Sequence, residues 1–203
     1  PGIGVVSYTL CQRAKKVVLV ELDRTKEEAL EKALENYSNY EIVWADATEV
    51  DFTQFNLEGK QVKVIGSLPY NVGKRIIYNL LNSNLNWESA AFFLQKEVAE
   101  SYTSKAPQAD FLAVSVSIYA DMEVRFQVSP KSFYPIPNVD SSAVLLKRHD
   151  RYNHLDKQKL SKLIKSGFGA PRKNILNNLK SLNFTGEDIE SAGLTVNLRP
   201  AQL

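Results

Sequence analysis

A proline and a tyrosine follow directly where an apolar run of the sequence ends. Residues 61–68, QVKVIGSL, predict a buried strand, and Pro69 and Tyr70 come next, before a helical pattern begins. Proline fixes the backbone dihedral φ and carries no N–H, so it presents its carbonyl without a competing donor of its own. No packing pattern requires a tyrosine here. The pattern therefore predicts that residues Ser67 to Tyr70 hold a ligand at the end of a strand.

A glycine turn and two acidic residues fall at other predicted strand ends. The sequence opens with PGIG, a turn typical of the link between a first strand and a helix, although an ordinary tight turn explains it equally well. Glu21 is suited to the hydroxyls of a ribose, and Asp46 to the exocyclic amine of an adenine. The alternatives are a solvated strand end for Glu21 and a turn cap for Asp46. Because open α/β sheets bind ligands at the carboxyl edge of their strands, we expect these groups near Ser67.

The glycine turn lacks the patterns of two common nucleotide sites. Residue 7 is Ser, so there is no Gly-x-Gly-x-x-Gly pattern, and the sequence contains no Gly-Lys-Ser/Thr phosphate loop. The sequence therefore fits a nucleoside ligand that is not bound through phosphates better than a nucleotide, and S-adenosylmethionine is such a ligand. The sequence has two histidines and one cysteine without ligand spacing, so we predict no metal site.

Helical and strand patterns alternate through the first half of the chain. Helices are predicted at 5–14, 25–37 and 74–83, and strands at 16–23, 41–46, 61–68 and 90–97. This alternation indicates a parallel sheet with right-handed crossovers and helices on both faces. We therefore predict a Rossmann-like α/β fold.

The pattern changes after about residue 110. Residues 111–120 fit either a helix or a strand, and 122–128 and 141–148 predict strands added antiparallel at the sheet edge, on either side of a proline-rich loop at 131–140. Beyond His154 the prediction is helical, at 155–168, 172–182 and 186–194. We therefore predict a main domain over 1–150 and a small all-helical domain over 151–203.

Basic residues are concentrated in one block. The 203 residues have a net charge of +2, yet residues 147–180 contain ten basic and two acidic residues, whereas 1–146 have a net charge of −4. Such a block is typical of nucleic-acid binding, with a solvated helix face as the alternative. No apolar run approaches the roughly 20 residues that span a bilayer, so we expect no membrane partner. A single cysteine favours the cytoplasm.

Eight segments, taken in order, resemble one family over nearly the whole chain: PGIG, VLVELD, WADAT, SLPYN, FFLQKEVAE, FYPIPNVDSSAV, RKNILNNL and LRPAQL. They are similar to the ribosomal RNA adenine dimethyltransferases, which modify small-subunit rRNA. The resemblance implies an S-adenosylmethionine-dependent methyltransferase domain, a small helical rRNA-binding domain, and N6,N6-dimethylation of adenosines in 16S-type rRNA during ribosome biogenesis. It also implies a monomer whose partner is the immature 30S subunit.

The resemblance assigns roles to individual residues. Ser67 and the main-chain carbonyl of Leu68 or Pro69 would accept hydrogen bonds from the adenine amino group, whose lone pair is otherwise delocalised into the ring. Tyr70 would stack on the flipped base, and Phe133 would cover the opposite face. Cofactor contacts would come from Gly2, Gly4, Glu21, Asp46, Ala47 and Ser67, and RNA contacts from Lys74, Arg75, Arg172 and Lys173.

The sequence departs from the family pattern at three points. The family commonly has Asn at the position of Ser67, and a hydroxyl reaches less far than a carboxamide and offers one donor instead of two. The stretch GAPRKN is less basic than its counterpart in the family. A first strand and an N-terminal segment are expected before Pro1, where the family places part of its cofactor and RNA sites.

Two other functions remain open at this point. A methyltransferase of the erythromycin-resistance type would modify an adenine in large-subunit rRNA with the same fold, although FYPIPNVDSSAV and the C-terminal helices favour the small-subunit branch. The second is a non-catalytic RNA- or DNA-binding assembly or transcription factor on this fold. The presence of Glu21, Asp46 and the Ser67–Tyr70 segment favours an enzyme over that alternative.

Overall fold

Helices and strands alternate along the first part of the chain, as the sequence predicts. The computed structural model describes residues 1–55, 57, 61–133 and 136–203. These residues form two compact units, Pro1–Trp87 and Glu88–Leu203. The first contains, in chain order, α1 (Val5–Cys11), β1 (Val17–Glu21), α2 (Glu27–Leu34), β2 (Tyr40–Trp44), β3 (Val62–Ser67) and α3 (Gly73–Asn82).

Strands β1 and β2 are parallel neighbours, which confirms the parallel pairing expected from the alternation. Val17 lies opposite Tyr40 and Glu21 opposite Trp44, so both strands end at the same edge. Leu30 and Leu34 of α2 are separated by one helical turn and are completely buried. They form a core cluster with Cys11 and the inward side chains of β1, Val17 and Leu19. Burial of this apolar stripe fixes which face of α2 lies against the strands.

The second unit adds antiparallel strands to the parallel pattern. It contains most of β4 (Trp87–Gln95), then α4 (Lys96–Thr103), α5 (Phe111–Ser117), β5 (Ala120–Val128) and β6 (Ser141–Arg148). Strand β6 pairs antiparallel with both β4 and β5, and a bulge interrupts the β5 ladder between Val124 and Phe126. The predicted antiparallel addition is thus confirmed. Tyr134 and Pro135, in the predicted proline-rich loop, lie outside the described residues.

The last part of the chain is helical and each helix begins at a side-chain cap. Asp156, Asn174 and Thr185 cap α6 (Lys157–Gly167), α7 (Ile175–Leu179) and α8 (Gly186–Ser191) by accepting hydrogen bonds from backbone N–H groups. Ile175, Leu179 and Ile189 form the buried cluster between α7 and α8. The domain boundary between residues 150 and 151 remains a prediction.

One predicted strand is wrong at its end. The strand expected over 90–97 stops at Gln95, and Lys96 and Glu97 open α4 instead. The physical reason is a change of period, since the alternating burial of β4 gives way to Ala99 and Tyr102, which are buried at helical spacing. Over 111–120 the helix alternative is correct for α5, whose first turn is capped by the Asp110 carboxylate.

Gly2 and Gly4 offer a matched test of packing at the first turn. Their φ angles are +61° and +92°, and a Cβ on Gly4 would lie 2.9 Å from the Cβ of Ala33, whereas a Cβ on Gly2 would have no atom within 4 Å. Left-handed backbone costs other residues about 1–2 kcal/mol, so Gly2→Ala should lose that much. Gly4→Ala should lose about 1–3 kcal/mol more through overpacking. Urea unfolding measures both, and equal losses would contradict the close packing at Gly4.

Candidate active site

The Glu21 carboxylate is held at the carboxyl end of β1 by backbone amides. Its Oε1 accepts hydrogen bonds from the N–H groups of Leu22 (2.9 Å) and Asp23 (3.0 Å), and its Oε2 accepts one from Gly2 (3.0 Å). Burial raises the pKa of this carboxyl, whereas the hydrogen bonds from the amides of Asp23, Gly2 and Leu22 lower it, and the resulting pKa lies below the usual 4.5. The structure therefore brings the glycine turn and Glu21 together around one ionised carboxylate.

The loop after β2 is closed by Asp46, which caps its own turn. Its Oδ1 accepts a hydrogen bond from the N–H of Thr48 (2.8 Å), and its main-chain carbonyl accepts from Glu49 (3.0 Å) and Val50 (2.9 Å). The Thr48 amide bond is the main cause that lowers the pKa of Asp46, with a smaller contribution from the charge of Arg75. The turn-capping alternative for Asp46 is thus observed. It does not exclude a ligand, because a carboxylate offers about four acceptor positions.

Ser67 is the last residue of β3, and the segment that follows turns directly into α3. The carbonyl of Pro69 accepts hydrogen bonds from the N–H groups of Val72 (3.2 Å) and Gly73 (2.8 Å). Both bonds belong to the start of the helix, so this carbonyl is committed to the main chain. Of the two carbonyls considered from the sequence, that of Pro69 is therefore the less available to a ligand. Ser67 is exposed, and Tyr70 is 39% exposed.

The candidate basic residues and Phe133 have different surroundings. Arg75 lies 3.4 Å from Oε1 of Glu49, while Lys74 is exposed in the first turn of α3. In the second unit, Phe133 packs edge-to-face on Phe93, with ring centroids 6.2 Å apart. Two further candidates, Arg172 and Lys173, are exposed between α6 and α7. Roles for these residues in RNA binding and base stacking remain predictions.

Asn79 is a polar residue of this region that the sequence analysis missed. It lies in α3, and its Nδ2 donates to the carbonyls of Ala47 (3.1 Å) and Val50 (3.0 Å) in the Asp46 loop. Asparagine is unfavourable in a helix interior because its amide competes with the backbone for hydrogen bonds. An Asn within an otherwise amphipathic helix was the available signal.

These groups fit a nucleoside with a ribose and an adenine. Three backbone amides occupy Glu21, so by the count of about four acceptor positions it can still accept from a ribose hydroxyl. Asp46 keeps acceptor capacity for an amine. The open space beside Gly2 leaves room for a ligand close to the main chain. The arrangement therefore suits S-adenosylmethionine, whose ribose and adenine carry those groups.

Two negative findings concern only the residues that the structure describes. Within them, no three His, Cys, Asp or Glu side chains are grouped so that they could hold a metal ion. No described helix is both long and apolar enough to cross a membrane.

Comparison with protein families decides what kind of protein this is. The family model described as ribosomal RNA adenine dimethylase matches residues 1–197. The chain belongs to the ribosomal RNA adenine dimethylase family. The resemblance drawn from the eight motifs is thereby confirmed.

Named relatives of this dimethylase-family chain come from several bacteria. It is 34% identical over 196 residues to the ribosomal RNA small subunit methyltransferase A of Clostridium acetobutylicum, a match that covers 95% of the chain and 71% of the relative. The protein of the same name from Mycoplasma capricolum is 33% identical, and the match covers 100% of this chain and 80% of that relative. The one from Fusobacterium nucleatum is 33% identical, with 94% and 73% covered.

Solved structures confirm the predicted fold class, the α/β fold of S-adenosylmethionine-dependent methyltransferases. A dimethyladenosine transferase from Plasmodium falciparum has a TM-score of 0.83 at 22% identity, and the match covers all of this chain and 82% of that one. The 23S rRNA methyltransferase ErmE has a TM-score of 0.74 at 23% identity, with 100% and 84% covered. Because one fold serves both, the fold of the dimethylase family does not by itself select the RNA substrate.

Glu21 should make stability depend on pH. Its pKa is lowered on folding, so its stabilising contribution is present above the unfolded value of 4.5 and is lost as pH falls through the folded value. Glu21→Gln should therefore unfold at lower urea concentration than the wild type near neutral pH, and the difference should shrink as the pH falls below 4.5. Urea unfolding across this range measures the effect.

Glu35→Gln is the matched control, because it removes an exposed carboxylate at the end of α2. If the two variants showed the same pH profile, the amide cage around Glu21 would not be the source of the effect.

Proposed function

We propose that this chain is an S-adenosylmethionine-dependent methyltransferase that forms N6,N6-dimethyladenosine in small-subunit rRNA during ribosome biogenesis. The observation that carries this proposal is the match, over 94–100% of the chain, to relatives named as small-subunit rRNA methyltransferases. The fold alone would not carry it, since a 23S rRNA methyltransferase shares it. The proposed substrate is therefore rRNA of the immature 30S subunit.

The segment at the end of β3 would activate the target amine. An adenine N6 is a poor nucleophile because its lone pair is delocalised into the ring. Acceptors on either side of the amino group favour a pyramidal nitrogen whose lone pair points away from them. The Ser67 hydroxyl and the Leu68 carbonyl are the proposed acceptors, because the Pro69 carbonyl is already bonded to Val72 and Gly73.

Tyr70 would hold the target base after it leaves its stack. Its ring is partly exposed at the end of the β3 segment, next in sequence to the proposed acceptors. A stacked base gains about 1–3 kcal/mol, which offsets part of the cost of extracting an adenine from RNA. Phe133 is the proposed cover for the other face. Its edge-to-face contact with Phe93 would fix the direction of its ring.

The cofactor residues would orient the donor and need not include a strong base. S-adenosylmethionine, when bound, supplies an activated methyl group on a sulfonium. Glu21 would bind its ribose, Asp46 its adenine amine, and Gly2 would let the main chain approach closely, with Gly4, Ala47 and Ser67 completing the contacts. With both partners fixed, orientation and exclusion of water supply most of the acceleration.

Basic residues would hold the RNA around the extracted base. Lys74, exposed at the start of α3, is suited to a flanking phosphate, and Arg172 and Lys173 would bind phosphates elsewhere on the rRNA. Arg75 would have to exchange its contact with Glu49 for a phosphate. We further propose that the protein acts as a monomer in the cytoplasm, where ribosomal subunits mature.

The substrate can be tested directly with labelled S-adenosylmethionine. The chain is incubated in parallel with immature 30S subunits, 50S subunits and naked 23S RNA. Methyl incorporation only into 30S rRNA is the expected result. Incorporation only into 23S RNA would move the function to the large-subunit branch, whose fold is equally compatible. Cofactor binding without methyl incorporation into any of the three substrates would contradict the proposed methyltransferase activity and leave an RNA-binding function.

Tyr70→Ala should lower methyl transfer strongly while leaving cofactor affinity nearly unchanged. The loss of about 1–3 kcal/mol of stacking corresponds to roughly 5- to 150-fold in rate. Tyr70→Phe, which keeps the ring face, should retain most of the rate. Single-turnover transfer and isothermal titration with S-adenosylhomocysteine measure the two quantities.

Tyr78→Ala provides the control, because it removes a 58%-exposed tyrosine from α3, the helix that follows the same segment. An undiminished rate in Tyr70→Ala would refute the stacking role.

A further inference from the structure

The side chain of Asn79 links α3 to the loop that follows β2. Both of its amide hydrogens are used, since Nδ2 donates to the carbonyl of Ala47 at 3.1 Å and to that of Val50 at 3.0 Å. The two contacts are partly buried, so solvent competes with them less than at an exposed site. Ala47 directly follows Asp46, and Val50 ends the turn that the Asp46 carbonyl closes, so one amide is bonded near both ends of that turn.

Helix α3 is also a direct continuation of the proposed base-binding segment. The N–H groups of Val72 and Gly73 donate to the Pro69 carbonyl, so the helix begins on the segment itself. Ile77, Leu80 and Leu81 bury the other face of α3 and keep the helix from turning about its axis. Asn79 therefore connects the Asp46 loop to a rigid helix that begins three residues after Tyr70.

The ion pair between α3 and the Asp46 loop is a weaker contact than the Asn79 hydrogen bonds. Arg75 lies 3.4 Å from Glu49, but both side chains are more than half exposed, at 63% and 75%. Exposed ion pairs of this kind contribute little and are screened by salt. Among the described contacts, the Asn79 amide is the one suited to fixing the loop.

We propose that Asn79 is a positioning residue for methyl transfer, which holds the cofactor's adenine subsite at a fixed distance from the target-base segment. This inference rests on the proposed function. Asn79 contacts neither the base nor the cofactor directly. It acts through the carbonyls of Ala47 and Val50, and thereby through Asp46. A misplacement of the donor by about 1 Å can lower a reaction rate about 100-fold, so such a link has a large effect on turnover.

Asn39 provides a matched control within the same unit. Its Nδ2 also donates to two carbonyls, those of Cys11 at 2.9 Å and Ala14 at 2.8 Å. Asn39 precedes β2, and the carbonyls of Cys11 and Ala14 precede β1. This link therefore lies at the amino ends of the two strands. Asn39 thus makes the same number of bonds, one partly buried and one exposed, at the edge opposite Glu21 and Asp46, where a purely structural role is expected.

The test compares Asn79→Leu with Asn39→Leu, which remove the donors without adding charge. Urea unfolding should show comparable losses of stability in the two variants. At a temperature where both are folded, Asn79→Leu should lower kcat about tenfold or more and raise the KM for S-adenosylmethionine, whereas both quantities should stay within about twofold of wild type in Asn39→Leu. Hydrogen exchange should accelerate at the amides of Thr48, Glu49 and Val50 only in Asn79→Leu.

Each result decides the inference. The inference is overturned if folded Asn79→Leu keeps the wild-type kcat, cofactor KM and loop exchange, or if both variants change equally. If Asn79→Leu does not fold, Asn79→Ala and Asn39→Ala are measured in the same way. If the wild type itself binds no S-adenosylmethionine, the proposed function fails. The positioning of the loop is then decided by hydrogen exchange alone, and unchanged exchange in the Asn79 variants would overturn that too.

Discussion

The parallel pairing of β1 with β2 is the constraint on which the candidate site depends. It makes both strands end at one edge, with Glu21 opposite Trp44, so that the Asp46 loop leaves the sheet beside the Glu21 carboxylate. The pairing is maintained by burial, because Leu30 and Leu34 of α2 pack on the inward side chains of β1. Apolar side chains that take no part in the chemistry thus determine where the charged ones meet.

The carboxylates of Glu21 and Asp46 and the carbonyl of Pro69 are each held by main-chain N–H groups close to them in sequence. Leu22 and Asp23 donate to Glu21, Thr48 donates to Asp46, and the start of α3 donates to Pro69. Such local amide bonds keep the carboxylates ionised and oriented before a ligand arrives. The exceptions are the long-range bonds from Gly2 and Asn79, which join segments far apart in sequence.

The sequence predicted those parts of the fold whose signals are local. The strand over 141–148 and the amphipathic helix after Tyr70 follow from their periods, and the family follows from motif order. The start of α4 was missed because Lys96 and Glu97 continue an apolar strand without a proline or glycine to end it. The choice between the carbonyls of Leu68 and Pro69 depends on where α3 begins its hydrogen bonds. An Asn within an amphipathic helix marks Asn79 itself, but its partner could not be predicted, because the link to Ala47 spans 32 residues.

The bulge in β5 bears on how this protein behaves at high concentration. In the described part of the chain β5 pairs with β6 on one side, and most of its residues are exposed, including Phe126 at 59%. A regular edge strand with exposed apolar side chains would invite another copy to add a strand along its edge. The irregularity between Val124 and Phe126 breaks the even spacing of donors and acceptors, and the Glu123–Arg125 ion pair adds charge at the same point. The fold thus carries local protection against edge-to-edge aggregation.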